Sequence, residues 1–152
     1  MKNRSLIITV LLLCHLSLFA TTPYDLEGIK ALNVLVLDQN DILSSQEEQK
    51  LLQTLKERLE AEGISSQKDG VGAMFVKLSA VKIKGVNVVH ITLAVGEEAV
   101  VRRGSSSVET FVLSYSYEDM IETKRVEADV YDTVIDYLFD EFMEQYEEDN
   151  DV

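Results

Sequence analysis

His90 is the one histidine after residue 20, and so the side chain there best suited to proton transfer near neutral pH. A nucleophilic triad needs such a base beside a hydroxyl or thiol, with a third group orienting the base. Ser79 and His90 lie on two apolar runs separated by Lys84-Gly85, a spacing that sets them opposite each other across a hairpin, with Thr92 two residues further on. A hydrogen bond there satisfies both groups without catalysis. No third group is tied to them by spacing, and a metal site needs at least three convergent ligands. His90 is therefore read as a strand residue facing water.

The carboxylates offer the next chemistry. Asp38 and Asp41 follow an apolar run and precede a helix, and the carboxyl ends of strands in open α/β sheets form ligand crevices. The segment Asp38-Gln39-Asn40-Asp41-Ile42-Leu43 lacks the fifth-position oxygen ligand and the sixth-position glycine of a calcium loop, so it is read as a polar turn before a helix start. Glu97-Glu98 and Glu118-Asp119 are candidate acid/base pairs, but a chain with 27 acidic residues produces such neighbours freely. Gly70-Val71-Gly72 runs into Ala73-Met74-Phe75 and a strand where a phosphate-binding fingerprint needs a helix. Arg102-Arg103 is a basic pair at a hairpin tip, where recognition residues concentrate. On these grounds no catalytic, cofactor-binding or metal-ligating residue is assigned, and no cofactor is expected.

These residues are positioned by a short series of elements. Ala31 to Asp38 is a β-branched apolar run that predicts a buried strand. Ser45 with Glu48 has the form of a capping box, opening a helix that runs to about Glu62, with Leu51, Leu52, Leu55 and Leu59 on one face and Gly63 to end it. Ile64 to Gln67 reads as a short strand and Lys68-Asp69-Gly70 as a turn. Ala73 to Ile83 and Val86 to Val95 form a hairpin. With an even-length turn, Met74, Val76, Leu78 and Ala80 share a face with Val89, Ile91, Leu93 and Val95, while Lys77, Ser79, His90 and Thr92 occupy the other.

A third meander strand is expected from Val108 to Tyr117 after an Arg102 to Ser106 loop, with Phe111, Leu113, Tyr115 and Tyr117 on one face as core. From Val126, the residues Val130, Val134, Leu138, Phe142 and Tyr146 recur every four, joined by Tyr131, Ile135 and Phe139, as in an amphipathic helix. Residues 147–152 add negative charge at the negative end of the helix dipole, which predicts a frayed acidic tail. The fold class that follows is a two-layer α/β (α+β) sandwich, order β-α-β-β-β-α with a mixed sheet and both helices on one face, spanning residues 31–146 after an extended lead-in over 21–30.

The N-terminus supplies an address. Lys2 and Arg4 precede an apolar stretch from Leu6 through Ala20, the pattern of a secretory signal peptide cut after Ala20. The stretch 6–20, at about 1.5 Å per residue, reaches about 22 Å, short of a bilayer core, so no stable membrane insertion is expected after cleavage. Cys14 follows Leu11-Leu12-Leu13 rather than the small residue that lipoprotein processing requires, which argues against lipid anchoring. The remaining chain, residues 21–152, holds no cysteine, so neither a disulfide nor a thiolate metal site is available to it. The net charge of −13 becomes −15 with the loss of Lys2 and Arg4, since the first twenty residues hold no Asp or Glu. Such a surface repels nucleic acid and anionic lipid.

The patterns LNVLVLDQND, LLQTLKERLEAEGI and AMFVKLSAVKIKGVNVVHITLAV, followed by a VxxxVxxxVxxxL helix, resemble a group of small exported bacterial proteins of unknown function. More remotely, the element order is similar to that of periplasmic α/β domains of curli-secretion lipoproteins and penicillin-binding-protein activator lipoproteins. The resemblance implies a signal peptide plus one α/β domain and carries no catalytic motif. The expectation is a periplasmic or extracellular binding module, acting on another envelope protein or a small ligand through its open sheet face or the Arg102 to Ser106 loop. The alternatives are a hydrolase or isomerase using Asp38 and Asp41 with Glu97 or His90, and a divalent-cation binder using the acidic helix and tail.

Overall fold

The computed structural model describes residues 24–66 and 72–151. The segment holding the expected signal helix and Cys14, and the Lys68-Asp69-Gly70 turn, lie outside the described residues. Strand β1 (Leu32–Asp38) is followed by helix α1 (Ser45–Ala61) and by three strands, β2 (Gly72–Ile83), β3 (Val86–Arg103) and β4 (Ser106–Thr123). The chain closes with α2 (Val126–Thr133), a π-helical turn (Val134–Leu138) and α3 (Phe139–Asn150), which run on as one long helix. The four strands form one mixed sheet in the order β1-β2-β3-β4, β1 parallel to β2 and the other pairs antiparallel. This is the α+β two-layer arrangement that the element order predicts.

The β2–β3 hairpin has the register that parity requires: Met74 faces Val95, Val76 faces Leu93, Leu78 faces Ile91 and Ser79 faces His90. Lys84 and Gly85 both take positive φ, 50° and 85°, the backbone of a two-residue turn whose twist matches the strands. Leu51, Leu55 and Leu59 of α1 and Val130, Val134, Leu138 and Phe142 of the long helix are buried in one cluster with the apolar residues of the hairpin. Both helices therefore cover the same sheet face, and among the described residues nothing covers the opposite one.

Four local expectations are corrected. The capping box is Ser44 with Glu47, one residue earlier than expected, because Ser44 is the residue with extended backbone, φ −66° and ψ 155°. Of the expected strand at 64–67, the described residues 64–66 form a single parallel bridge, Ala31 to Ser65, and Gln67 lies outside the described residues. β4 is longer than expected at both ends, and Arg102 and Arg103 belong to β3, leaving only Gly104-Ser105 as the turn. The helix end does not fray at Glu147, since α3 continues through Asn150. There the Leu26 N–H donates to Asp149 Oδ2 at 2.8 Å, the Gly28 N–H donates to Asn150 Oδ1 at 2.9 Å, and Asn150 Nδ2 donates to the Leu26 carbonyl at 3.1 Å. The last helical turn caps the lead-in backbone, and Leu26 and Ile29 enter the core beneath it. Replacing both Asp149 and Asn150 by alanine is expected to speed amide exchange at Leu26 and Gly28 about tenfold by local opening, with core strand amides unchanged; unchanged exchange at both amides would argue against this capping role.

The π turn follows from the spacing of the apolar residues. A step of four residues overshoots a 3.6-residue turn by about 40°, so a strict repeat of four drifts around an ideal helix. The wider turn, in which the Phe139 N–H donates to the Val134 carbonyl five residues back, offsets that drift and keeps Val134, Leu138 and Phe142 on the sheet.

Candidate functional site: the open sheet face

Register and alternation assign the residues of the bare face. Leu35 of β1, Phe75 of β2, Ala94 of β3 and Ser116 of β4 lie in one cross-strand row, and Leu37, Lys77, Thr92 and Glu118 in the next. A β-bulge then changes what β4 contributes. Val95 pairs with Tyr115 and Gly96 with Leu113, so Ser114 is an extra residue on β4. One inserted residue inverts the alternation. Tyr115 and Tyr117 face the helices as expected, whereas Phe111 and Leu113 turn to the open face, 51% and 59% exposed, which corrects their assignment to the core.

Gly96 makes this arrangement fit. A Cβ on Gly96 would lie 2.2 Å from Phe111 Cε1, so the ring rests directly on the glycine backbone. From there Phe111 meets Phe75 with ring centroids 5.8 Å apart. The result is an apolar band across all four strands, from Leu35 (39% exposed) through Phe75 to Phe111 and Leu113, with Leu37 (47%) alongside. Beyond it lies a polar band containing Lys77, Ser79, His90, Thr92 and Glu118. His90 Nε2 sits 3.1 Å from Glu118 Oε2, and this acid is its partner on an exposed surface. The sequence places Ser79 opposite His90 correctly, and the two do not form a nucleophile–base–acid arrangement.

Past Gly72, the end of β2, the strands Glu98–Arg103 and Ser106–Phe111 pair only with each other among the described residues. They form a projecting two-stranded arm with Val100, Val108 and Phe111 exposed and Arg102 and Arg103 at its tip. A concavity of about 500 Å³ lies along it, lined by Glu98, Val100, Glu109 and Phe111 among others. The arm and the apolar band are continuous through Phe111.

The other candidate carboxylates are held apart. Asp38 accepts hydrogen bonds from the Asn40 N–H at 3.1 Å and the Leu43 N–H at 2.8 Å, so it organises the turn into α1. Asp41 takes φ 51° in that turn and borders a separate cavity of about 320 Å³ with Asn40, Lys82 and Asn87. Glu97 lies opposite Gly72, at the other end of the sheet from Asp38, which lies opposite Leu78. That is about 20 Å of strand. His90 is near Asp38 along the sheet but on the reverse face. Glu97-Glu98 and Glu118-Asp119 are sequence neighbours in strands, so each pair is split between the two faces.

Sequence reasoning did not reveal a cavity of about 350 Å³ between α1 and α2, lined by Glu47, Lys50, Glu127, Tyr131 and Asp132 among others. Its acids are about eighty residues apart, so only the packing of the two helices joins them. The Ser44 hydroxyl holds the Glu47 carboxyl below the usual range, and Glu47 in turn raises Glu127. Lys50 lies 4.2 Å over the Tyr131 ring. No group of three or more His, Cys, Asp or Glu able to hold a metal converges among the described residues. No protein-family model matches this chain, and no curated protein is significantly similar to it.

Proposed function

We propose that this chain is an exported, non-catalytic interaction module of the bacterial envelope whose open sheet face and β3–β4 arm dock on another protein. The observation that carries the reading is the apolar band from Leu35 to Leu113 on a sheet face that no helix among the described residues covers. Contiguous exposed apolar surface of this kind marks an interaction site rather than a stable solvent boundary. The net charge, −13 for the whole chain and −15 without Lys2 and Arg4, steers a basic partner toward it. Lys2, Arg4 and the apolar stretch to Ala20 support export, with a periplasmic or extracellular destination. Among the described residues, no helix is long and apolar enough to cross a membrane.

The test is site-specific photo-crosslinking in the producing cell, with the photoreactive group at Leu113 and, as a control, at Glu57 on the exposed side of α1. A discrete adduct from position 113 and none from 57 is expected. Leu35→Asp is expected to weaken that association about thirtyfold or more, because an apolar anchor of an interface is worth about 2 kcal/mol or more. No adduct from position 113 would sink the docking reading, and an adduct with a second copy would replace the heterologous partner by self-association. N-terminal sequencing of the same material is expected to begin at Thr21; protein retained in the cytosol with Met1 intact would sink export.

A further inference from the structure

On the helix side of the sheet, away from the docking face, β4 and α3 enclose a groove of about 280 Å³ lined by Tyr24, Tyr115, Tyr117, Glu141, Glu144 and Glu148 among others. Tyr115 is 2% exposed, and its hydroxyl makes no hydrogen bond, the one buried side-chain polar atom among the described residues to lack a partner. A buried polar group without a partner costs free energy, so this hydroxyl calls for a partner that the described residues do not supply. The Tyr115 ring is held by Tyr24 and Phe142, with centroids 5.3 Å and 5.5 Å away, so its hydroxyl has a fixed position.

The remaining lining is anionic and aromatic. Glu141, Glu144 and Glu148 recur at three- and four-residue spacing on one face of α3, where like charges repel. They stand in the C-terminal part of the long helix, whose dipole adds negative potential. Tyr117 lies edge-on to Tyr137, with centroids 5.9 Å apart and hydroxyls 3.3 Å apart. Burial first, and Glu141 second, push the Tyr115 hydroxyl up, and the Tyr137 hydroxyl leads in raising Tyr117 to about 12. Both phenols stay neutral at physiological pH, so the charge of the groove is that of its carboxylates.

We propose that this groove binds an organic cation carrying N–H donors, a primary ammonium or a guanidinium group. One N–H completes the Tyr115 hydroxyl, the tyrosine rings contact the cation through their faces, and the three glutamates neutralise it. A quaternary ammonium fits the aromatic and anionic parts but has no proton for Tyr115, so it binds more weakly. The cation is supplied either by a free amine or by a basic side chain of a bound peptide.

Calorimetric titration of the intact domain with n-butylammonium chloride, against sodium chloride at equal ionic strength, tests the site. Saturable binding and a raised melting temperature are expected. Tyr115→Phe is expected to bind about fivefold to tenfold more weakly while melting, without ligand, at the same or a higher temperature than the natural protein, since it deletes only an unpartnered hydroxyl. Glu141→Gln is also expected to weaken binding, with tetramethylammonium a poorer ligand throughout. A melting temperature that responds no more to butylammonium than to sodium overturns the proposal, as does Tyr115→Phe binding as tightly as the natural protein. Tetramethylammonium binding as well as butylammonium overturns the N–H requirement. A lysine tripeptide that displaces butylammonium and binds more tightly supports the site with a peptide side chain as the source; a peptide no tighter than butylammonium supports it with a free amine.

Discussion

Phe142→Ala is expected to lower the unfolding free energy by about 3–5 kcal/mol, the usual loss when a fully buried aromatic side chain is truncated. Phe142 is 0% exposed and joins the two layers: its ring lies 5.5 Å from Tyr115 of β4 and 5.9 Å and 6.2 Å from Phe139 and Tyr146 of its own helix. The cavity left behind opens between two rigid layers that cannot close over it. For a domain with about 5–15 kcal/mol in hand, this removes about a fifth of its stability or more. Urea denaturation followed by circular dichroism measures it. Leu113→Ala, on the open face, is the control and is expected to change stability by less than about 0.5 kcal/mol. A Phe142→Ala loss below about 1 kcal/mol would show that the layers are not joined through this ring.

Arg58→Ala is expected to cost about 2–3 kcal/mol, chiefly through one carbonyl. Arg58 Nη1 donates to the Ile135 carbonyl at 2.6 Å and Nη2 to Asp140 Oδ1 at 2.8 Å, with the guanidinium 4.6 Å over the Phe139 ring. Ile135 belongs to the π turn, so α1 ties down the one irregular stretch of the long helix. The Asp140 side chain is 56% exposed, and an ion pair so accessible to water is worth about 1 kcal/mol or less. Asp140→Asn is therefore expected to be nearly neutral, and Arg58→Lys to recover only part of the loss, because a single ammonium cannot reproduce the planar fork. If Asp140→Asn destabilises as much as Arg58→Ala, the ion pair rather than the carbonyl contact holds the helices together.

Legibility in the sequence followed the range of the interaction concerned. The β2–β3 register was readable because a two-residue turn and strict alternation leave one pairing that puts Met74, Val76, Leu78, Val89, Ile91, Leu93 and Val95 on one face. Leu51, Leu55 and Leu59 marked the buried face of α1 for the same reason, a local period matched to a local geometry. Phe111 and Leu113 were misplaced because alternation carries no mark of an inserted residue. Ser114 is chemically ordinary, and the bulge is set by the β3–β4 pairing together with the seat that Gly96 offers the Phe111 ring. The last helical turn was misjudged because charge against the helix dipole argues for fraying, while the backbone of residues 26–28 supplies hydrogen bonds from more than 120 positions away.

The same division runs through function. The sequence by itself determined an acidic chain opening on Lys2, Arg4 and an apolar run, a hairpin of known register and two amphipathic helices, since each is written in neighbouring residues. It also determined where His90 and Asp38 stand along their strands, whereas Glu97, expected beyond the end of its strand at Val95, lies within β3. Only the tertiary structure decided that these groups lie on different faces or ends of the sheet, that the open face carries an apolar band, and that a buried Tyr115 hydroxyl borders a groove of glutamates. Those features join residues far apart in the chain, and the side chain at either end carries no local sign of what it will meet.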